Sequence, residues 1–423
     1  VLFTCLLLFV TALYIRPAEI VPALQFVPLV DILTVISLVI GSFTVLTRQE
    51  GTKVMPADFF VAGFYVAVVM SNLAWGWFGG AMMGFINLQP TIFCYYLARV
   101  TLVNSSQCRT LARFLVGLTL FQAVNGIVQY HTGVGLGDVG TVGIENRIRG
   151  TGIFHDPNDL AMALVLVIPY LLTVVLGKNI RFFTRVGGLI VISTLLLAIF
   201  YTNSRGAILG LGAVLMLFAW YRYRSLPGLV VGVIFLMALT TFGPSRSGQI
   251  NSDESSAQTR IEAWSQGLLM LKSKPIFGVG YNRFTEFHRK VAHNSFVHTF
   301  AELGLFGVFF FVGVFYAYFK QLAWVAPARG EPPSDPLAER WRRDFIMSAT
   351  GMLVCAFFLS RQYIAVLYLV AALGTSYAVI ESKRLGKEVP SLGPADAGRV
   401  MGLVSAGIVM VWLMVRTMGS WAS

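Results

Sequence analysis

Ala292-His293-Asn294-Ser295-Phe296-Val297-His298-Thr299-Phe300-Ala301-Glu302-Leu303-Gly304 leads two histidines and a carboxylate into an apolar run that continues to residue 319. Such a run decides the fold class, because a bilayer-spanning helix needs about 20 mostly apolar residues. Thirteen runs of this kind are expected, near residues 1–15, 27–46, 57–74, 81–103, 112–130, 159–176, 185–201, 206–221, 227–242, 296–319, 344–360, 363–380 and 400–416. The chain is 56% hydrophobic and 12% charged, with a mean hydropathy of +0.72. A soluble domain carries about twice that charged fraction. The expectation is an all-α polytopic membrane protein with about 12–13 transmembrane helices. Residues 1–15 read as a retained span and not a removed leader, because further spans follow at once.

Basic residues set the expected orientation, since short cytoplasmic loops retain Lys and Arg. With the N-terminus inside, 19 of the 32 Lys and Arg collect at inner loops and helix ends, from Arg48 and Lys53 to Lys387 and Arg399. The formal charge of +12 is then mainly a topology signal, and no nucleic-acid partner is expected. Cys5, Cys94 and Cys355 fall in spans and Cys108 in an inner loop, so no disulfide framework is expected.

All five histidines lie at or beyond outer helix ends in this topology, so chemistry is expected on the outer side. Three outer segments matter: 131–157, the short link 202–205 and the long stretch 243–295. The chain accordingly divides into N-terminal helices with the outer loop 131–157 (1–242), a long outer loop (243–295) and C-terminal helices (296–423). Ser255-Ser256-Ala257-Gln258 has the form of a capping box, and Ile261, Trp264, Leu268 and Leu271 follow at helical spacing. This predicts an amphipathic helix lying on the membrane surface or on the bundle, ended by Pro275 and the glycines Gly278 and Gly280. Arg205 stands in Thr202-Asn203-Ser204-Arg205-Gly206 with almost no loop to carry it into water, where a charge usually faces a cavity or a partner. Arg147 and Arg149 alternate along an extended segment, whereas Asp156, Asn158 and Asp159 are explained as the cap of the next helix. Gly304 and Gly307 read as sites of close helix packing.

Three of these patterns together resemble the O-antigen ligase and polymerase superfamily of bacterial envelope glycan enzymes. Arg205 to Leu209 matches the ligase-like Arg-x3-Leu pattern, and His293 to Gly304 the His-x10-Gly pattern. The Arg260-x-x-x-Trp264 helix and Pro275-Ile276-Phe277-Gly278-Val279-Gly280 resemble the shared region; the detailed match covers roughly residues 145–310. The resemblance implies a fold related to membrane C-type glycosyltransferases. It also implies inverting transfer of a glycan from undecaprenyl pyrophosphate to an acceptor hydroxyl, in a ligase that of lipid A core. The setting would be the periplasmic face of the bacterial inner membrane.

The residues suit that reaction. A pyrophosphate leaving group gathers negative charge, which arginine forks stabilise. Arg205 and Arg260 are the first candidates for that role, followed by Arg147, Arg149, Arg289 and Arg361. Neutral His293 is the candidate base, with Asn294 and His298 in support; Glu302, one turn on, is a sufficient partner for His298. Neither a metal nor another cofactor is expected, since no His-x3-His or His-Glu-x-x-His spacing occurs and arginines can neutralise the diphosphate. Membrane lipids are the remaining expected partners. The alternatives are a repeat-unit polymerase with the same donor, a protein O-oligosaccharyltransferase, or a lipid-linked glycan transporter; the last is disfavoured by the lack of an internal repeat and of paired broken helices.

Overall fold

The computed structural model describes residues 1–47, 54–143, 146–177, 180–223, 250–328 and 330–419. Thirteen longer helices carry the fold among them: α1 (Leu2–Tyr14), α2 (Leu29–Thr47), α3 (Pro56–Leu73), α4 (Phe78–Thr101), α5 (Ser105–Thr132), α6 (Pro157–Val175), α7 (Phe182–Thr202), α8 (Arg205–Tyr223), α9 (Ile250–Ser273), α10 (Ser295–Trp324), α11 (Pro336–Ala356), α12 (Ala365–Arg384) and α13 (Pro394–Gly419). All except α9 overlap expected spans, and the run 227–242 lies outside the described residues. Nine of the described helices are both long and apolar enough to cross a membrane. The described residues contain no strand, only isolated bridges in the α5–α6 loop. The chain is a multi-pass, all-α membrane protein.

Helix starts follow capping chemistry. Asn104, Asp156, Asn294 and Asp335 each accept amide hydrogens of the first turn, and Pro56, Pro157 and Pro336 stand where an N–H would be orphaned. α12 is apolar on every side and 89% of its apolar window is buried, whereas for α2 the figure is 6%. α12 is therefore the centre of the bundle and α2 its lipid-facing rim. α6 and α11 pack together, α3 packs on both α4 and α10, and α9 lies across α10 and α13. All four cysteines are free and buried, Cys108 within α5 and not in a loop.

The structure corrects three further expectations. α9 runs through Ser255–Gln258 from at least Ile250, so that segment is not its cap. Its stripe does pack on the bundle: Ala263, Trp264, Met270 and Leu271 are buried with Val297 and Phe300 of α10 and Val404 and Val411 of α13. The run expected at 344–360 is displaced to Pro336–Ala356, because Asp335 caps that helix and its charged first turns face neighbouring polar groups; Arg361 stays in the link where the expected runs left it.

The third correction concerns Gly304, which breaks α10 with φ 65° and ψ −165° instead of serving close packing within a continuous helix. A break strands backbone groups that cost roughly 1–3 kcal/mol each if left unpaired in a dry interior. The Pro275–Gly280 segment pairs them. Val279 and Gly280 donate to the Ala301 and Glu302 carbonyls (3.0 and 2.9 Å), and Leu305 and Phe306 donate to those of Pro275 and Ile276 (2.8 and 3.0 Å). A Cβ on Gly304 would meet the Ile276 carbonyl, and one on Gly278 the Glu302 carbonyl. The glycines are there so that two backbones can bond at close range, which docks α9 and its following turn onto the first part of α10.

Candidate functional site

One end of the bundle gathers the start of α6, the α7–α8 corner, the loop into α10 and the α11–α12 link. His293 sits at its middle. Its backbone is left-handed, φ 48°, a conformation that costs a side-chain-bearing residue on the order of 1–3 kcal/mol and persists only where neighbours enforce it. Both neighbours are pinned. Ala292 is fully buried and its carbonyl accepts Trp264 Nε1 (2.9 Å); Asn294, equally buried, caps α10 through the Phe296 and Val297 amides (2.9 and 3.1 Å).

The imidazole is held below the ordinary histidine pKa of 6.5. Burial is the largest cause and the Arg260 charge the next, with Arg361 and Lys290 adding to it and Asp156 opposing. His293 is thus neutral at neutral pH. These causes also locate it: α9, the start of α6 and the α11–α12 link all lie within electrostatic reach of one ring.

Arg361 is the most elaborately seated cation at this end. Its Nε donates to both carboxylate oxygens of Asp159 (2.6 and 2.8 Å), and its backbone N–H donates to Ser295 Oγ (3.0 Å), which in turn donates to the Leu359 carbonyl (2.6 Å). Nη1 and Nη2 make no hydrogen bond among the described residues, and the side chain is 42% exposed over an Asp159 that is nearly sealed. Asp159 is therefore not the cap that its place in the sequence suggests. Asp156 alone caps α6, accepting the Asn158 amide (2.8 Å). No sequence signal distinguishes the two, since an acidic residue in a first helical turn is what capping predicts.

Arg147 bridges the α5–α6 loop to the corner, with Nε on the Thr202 carbonyl (2.8 Å) and Nη2 on Asn158 Oδ1 (3.1 Å). Arg205 follows three residues after Thr202, at most about 11 Å along the chain. Ser204 caps α8 through the Ala207 amide, which puts Arg205 exposed on the first turn, while Gly206 lies against Phe358 of the link carrying Arg361. Arg149 turns away: its Nε donates to the Gly140 carbonyl (2.9 Å) and fastens the loop on itself. Arg289 is exposed and has no hydrogen bond or ion pair among the described residues.

His298 is buried below the site. Its Nε2 is 3.0 Å from Glu302 Oε1, and Glu302 also accepts the Phe284 amide (3.1 Å) and the Tyr363 hydroxyl (2.8 Å). This network ties the turn after α9 to α10 and the α11–α12 link, a scaffolding task. Among the described residues no three His, Cys, Asp or Glu side chains gather in a group that could hold a metal ion.

Between α10, α11 and α13 runs an almost wholly apolar groove of about 640 Å³, adjoined by a second cavity of about 540 Å³. Phe296 and Phe357 stand at its near end, three residues from His293 and four from Arg361; Phe319 and Lys320 stand at the far end. From the break at Gly304 to Lys320, α10 rises about 24 Å, most of the roughly 30 Å of a bilayer's apolar core.

A family model described as O-Antigen ligase matches residues 189–312. That stretch is a domain of the O-antigen ligase and polymerase type. A domain of this type supports glycosyltransferase activity of the ligase and polymerase kind, with lipid-linked glycans as its substrate class. The matched stretch contains Arg205, Arg260, His293 and Gly304, the residues that carry the superfamily's patterns in this sequence. Arg147, Asp156, Asp159 and Arg361 lie outside it and reach it only through the folded contacts described above. No curated protein matches the chain.

Proposed function

We propose that the protein is a metal-independent, inverting O-antigen ligase, which moves a glycan from undecaprenyl pyrophosphate to a hydroxyl of lipid A core on the periplasmic face of the inner membrane. The observation that carries this reading is His293: a neutral imidazole in an enforced left-handed backbone, with Arg260, Arg361 and Asp156 brought to it from three distant segments. A group kept neutral among cations suits a base, and cations around it suit an anionic leaving group.

In this mechanism the diphosphate lies against Arg361 and Arg260, with Arg205 at the α8 start as the third cation. The acceptor oxygen attacks the anomeric carbon from the face opposite the diphosphate and passes its proton to His293. The bond between the anomeric carbon and the phosphate oxygen breaks, its electron pair leaving with the diphosphate, whose growing charge the arginine forks stabilise. Asp159 holds the Arg361 guanidinium in place with its Nη groups free, and Arg147 ties the α7–α8 corner beside Arg205 to the start of α6. The polyprenyl chain occupies the groove that begins at Phe296 and Phe357, because that groove opens next to the cations and is lined by side chains a hydrocarbon would wet.

Incubation of the purified protein with lipid-linked glycan and either lipid A core or a second lipid-linked repeat tests the assignment. Product with lipid A core supports it. Product only with the second repeat would make the protein a polymerase, and no product with either would remove the acceptor claim altogether.

A further inference from the structure

At the opposite end of the bundle from His293, three helix ends enclose a pocket of about 220 Å³. Thr173 and Gly177 come from the end of α6, Tyr221 and Arg222 from the end of α8, and Arg340 and Arg343 from the start of α11. Some of the local cations are committed. Arg185 Nη2 donates to the Gly177 carbonyl (3.0 Å), Arg343 Nε to Glu339 Oε1 (2.5 Å), and Arg340 Nε to Thr173 Oγ1 (3.0 Å) beside Asp344 at 3.6 Å.

An excess remains. Of the pocket's three arginines, Arg340 lies beside Asp344 and Arg343 bonds Glu339, which it shares with Arg342. Arg222 is exposed with no hydrogen bond or ion pair among the described residues, and the Nη groups of Arg340 are likewise unspent. The pocket also changes character with depth: Phe218 and Met347 line it one helical turn nearer the bundle's middle than Arg222 and Arg343. Neighbouring α7 buries only 22% of its apolar window, so this rim of the bundle faces lipid.

We infer that this pocket seats the phosphodiester headgroup of an anionic membrane phospholipid, with Arg222, Arg340 and Arg343 around the phosphate and the acyl chains descending past Phe218 and Met347. A soluble anion would be served by the cations alone; the apolar residues one turn deeper are what select a lipid. This inference is independent of the transferase reading.

The test is lipid binding to the purified, detergent-solubilised protein by native mass spectrometry. The probes are phosphatidylglycerol, phosphatidylcholine of the same chain length, and inorganic phosphate as competitor. The expected result is preference for phosphatidylglycerol, about fivefold weaker in Arg222→Gln, with a larger loss in Arg222→Gln/Arg343→Gln. Since Arg222 is exposed, the single variant decides the matter if the double variant does not fold. Equal binding of phosphatidylcholine, unchanged binding in Arg222→Gln, or displacement of the lipid by millimolar phosphate would each overturn the inference.

Discussion

Among the described residues, Arg99–Asp58 and Arg361–Asp159 each tie distant segments together, and they are built for different ends. Arg99 and Asp58 are 5% and 10% exposed, and every guanidinium nitrogen has a partner: Nε and Nη2 on the two carboxylate oxygens (2.8 and 3.2 Å) and Nη1 on Ser376 Oγ (3.0 Å). The carboxylate also accepts the Tyr95 hydroxyl (2.7 Å) and the Met55 amide (2.8 Å). That pair is closed. Arg361 spends Nε on a sealed Asp159 and keeps two nitrogens and a 42% exposed face for something else. Both pairs satisfy the demand that a buried carboxylate be matched, but only one leaves hydrogen-bonding capacity over, and it does so beside a strained, neutral histidine. Unspent donors set beside a strained, neutral imidazole are what distinguish this pair from the closed one.

The largest effect expected is from His293→Ala, which should cut transfer by about 100- to 10,000-fold while donor binding stays near normal. Transfer kinetics with parallel donor-binding measurements check this, and loss of binding in step with activity would reduce His293 to a binding residue. The two arginines should then separate. The Arg361→Gln/Asp159→Asn double variant, which leaves no stranded carboxylate, should lower kcat by about 100- to 1000-fold with little change in Tm. Arg99→Gln should instead destabilise the fold by about 3–5 kcal/mol, because it strands a buried carboxylate. Thermal melts and kcat on the two variants would break the contrast if their profiles matched.

A smaller, signed effect concerns pH. Because burial and Arg260 hold the His293 pKa below 6.5, the acid limb of the kcat profile should lie below pH 6.5. Arg260→Gln removes a lowering influence and should move that limb up. Asp156→Asn preserves the helix cap but removes a raising influence, and should move it down. Shifts of the same sign in both variants would show that another group titrates. The smallest effect is none at all: a strong chelator should leave the rate unchanged, and activity lost to chelator and restored by one divalent ion would end the metal-independent mechanism.

Much of this end is legible in the sequence. Apolar runs mark the helices because a bilayer imposes their length; Arg205 and His293 stand out because polar residues at span mouths need a reason, and Arg260 because it stands one turn before Trp264 on an amphipathic helix. Asp159 is unreadable, since its partner is 202 residues away and a first-turn aspartate looks like a cap whatever it binds. Gly304 misleads for a related reason: a glycine in an apolar helix signals close approach, but only coordinates show whether a side chain or a backbone approaches. The Pro275–Gly280 turn is visible as punctuation, yet its role as hydrogen-bond partner to a broken helix depends on a pairing no local pattern encodes. Arg149 has the same signature as Arg147 and differs only in which carbonyl it meets.

The most direct measurement is a structure of the protein with a non-reactive undecaprenyl-diphosphate glycan and an acceptor bound. The account predicts the diphosphate against the Arg361 Nη groups and the Arg260 guanidinium, the lipid in the groove starting at Phe296 and Phe357, and a His293 nitrogen about 2.6–3.2 Å from the acceptor oxygen. A diphosphate seated away from Arg361 and Arg260, with His293 turned from the anomeric carbon, would contradict it.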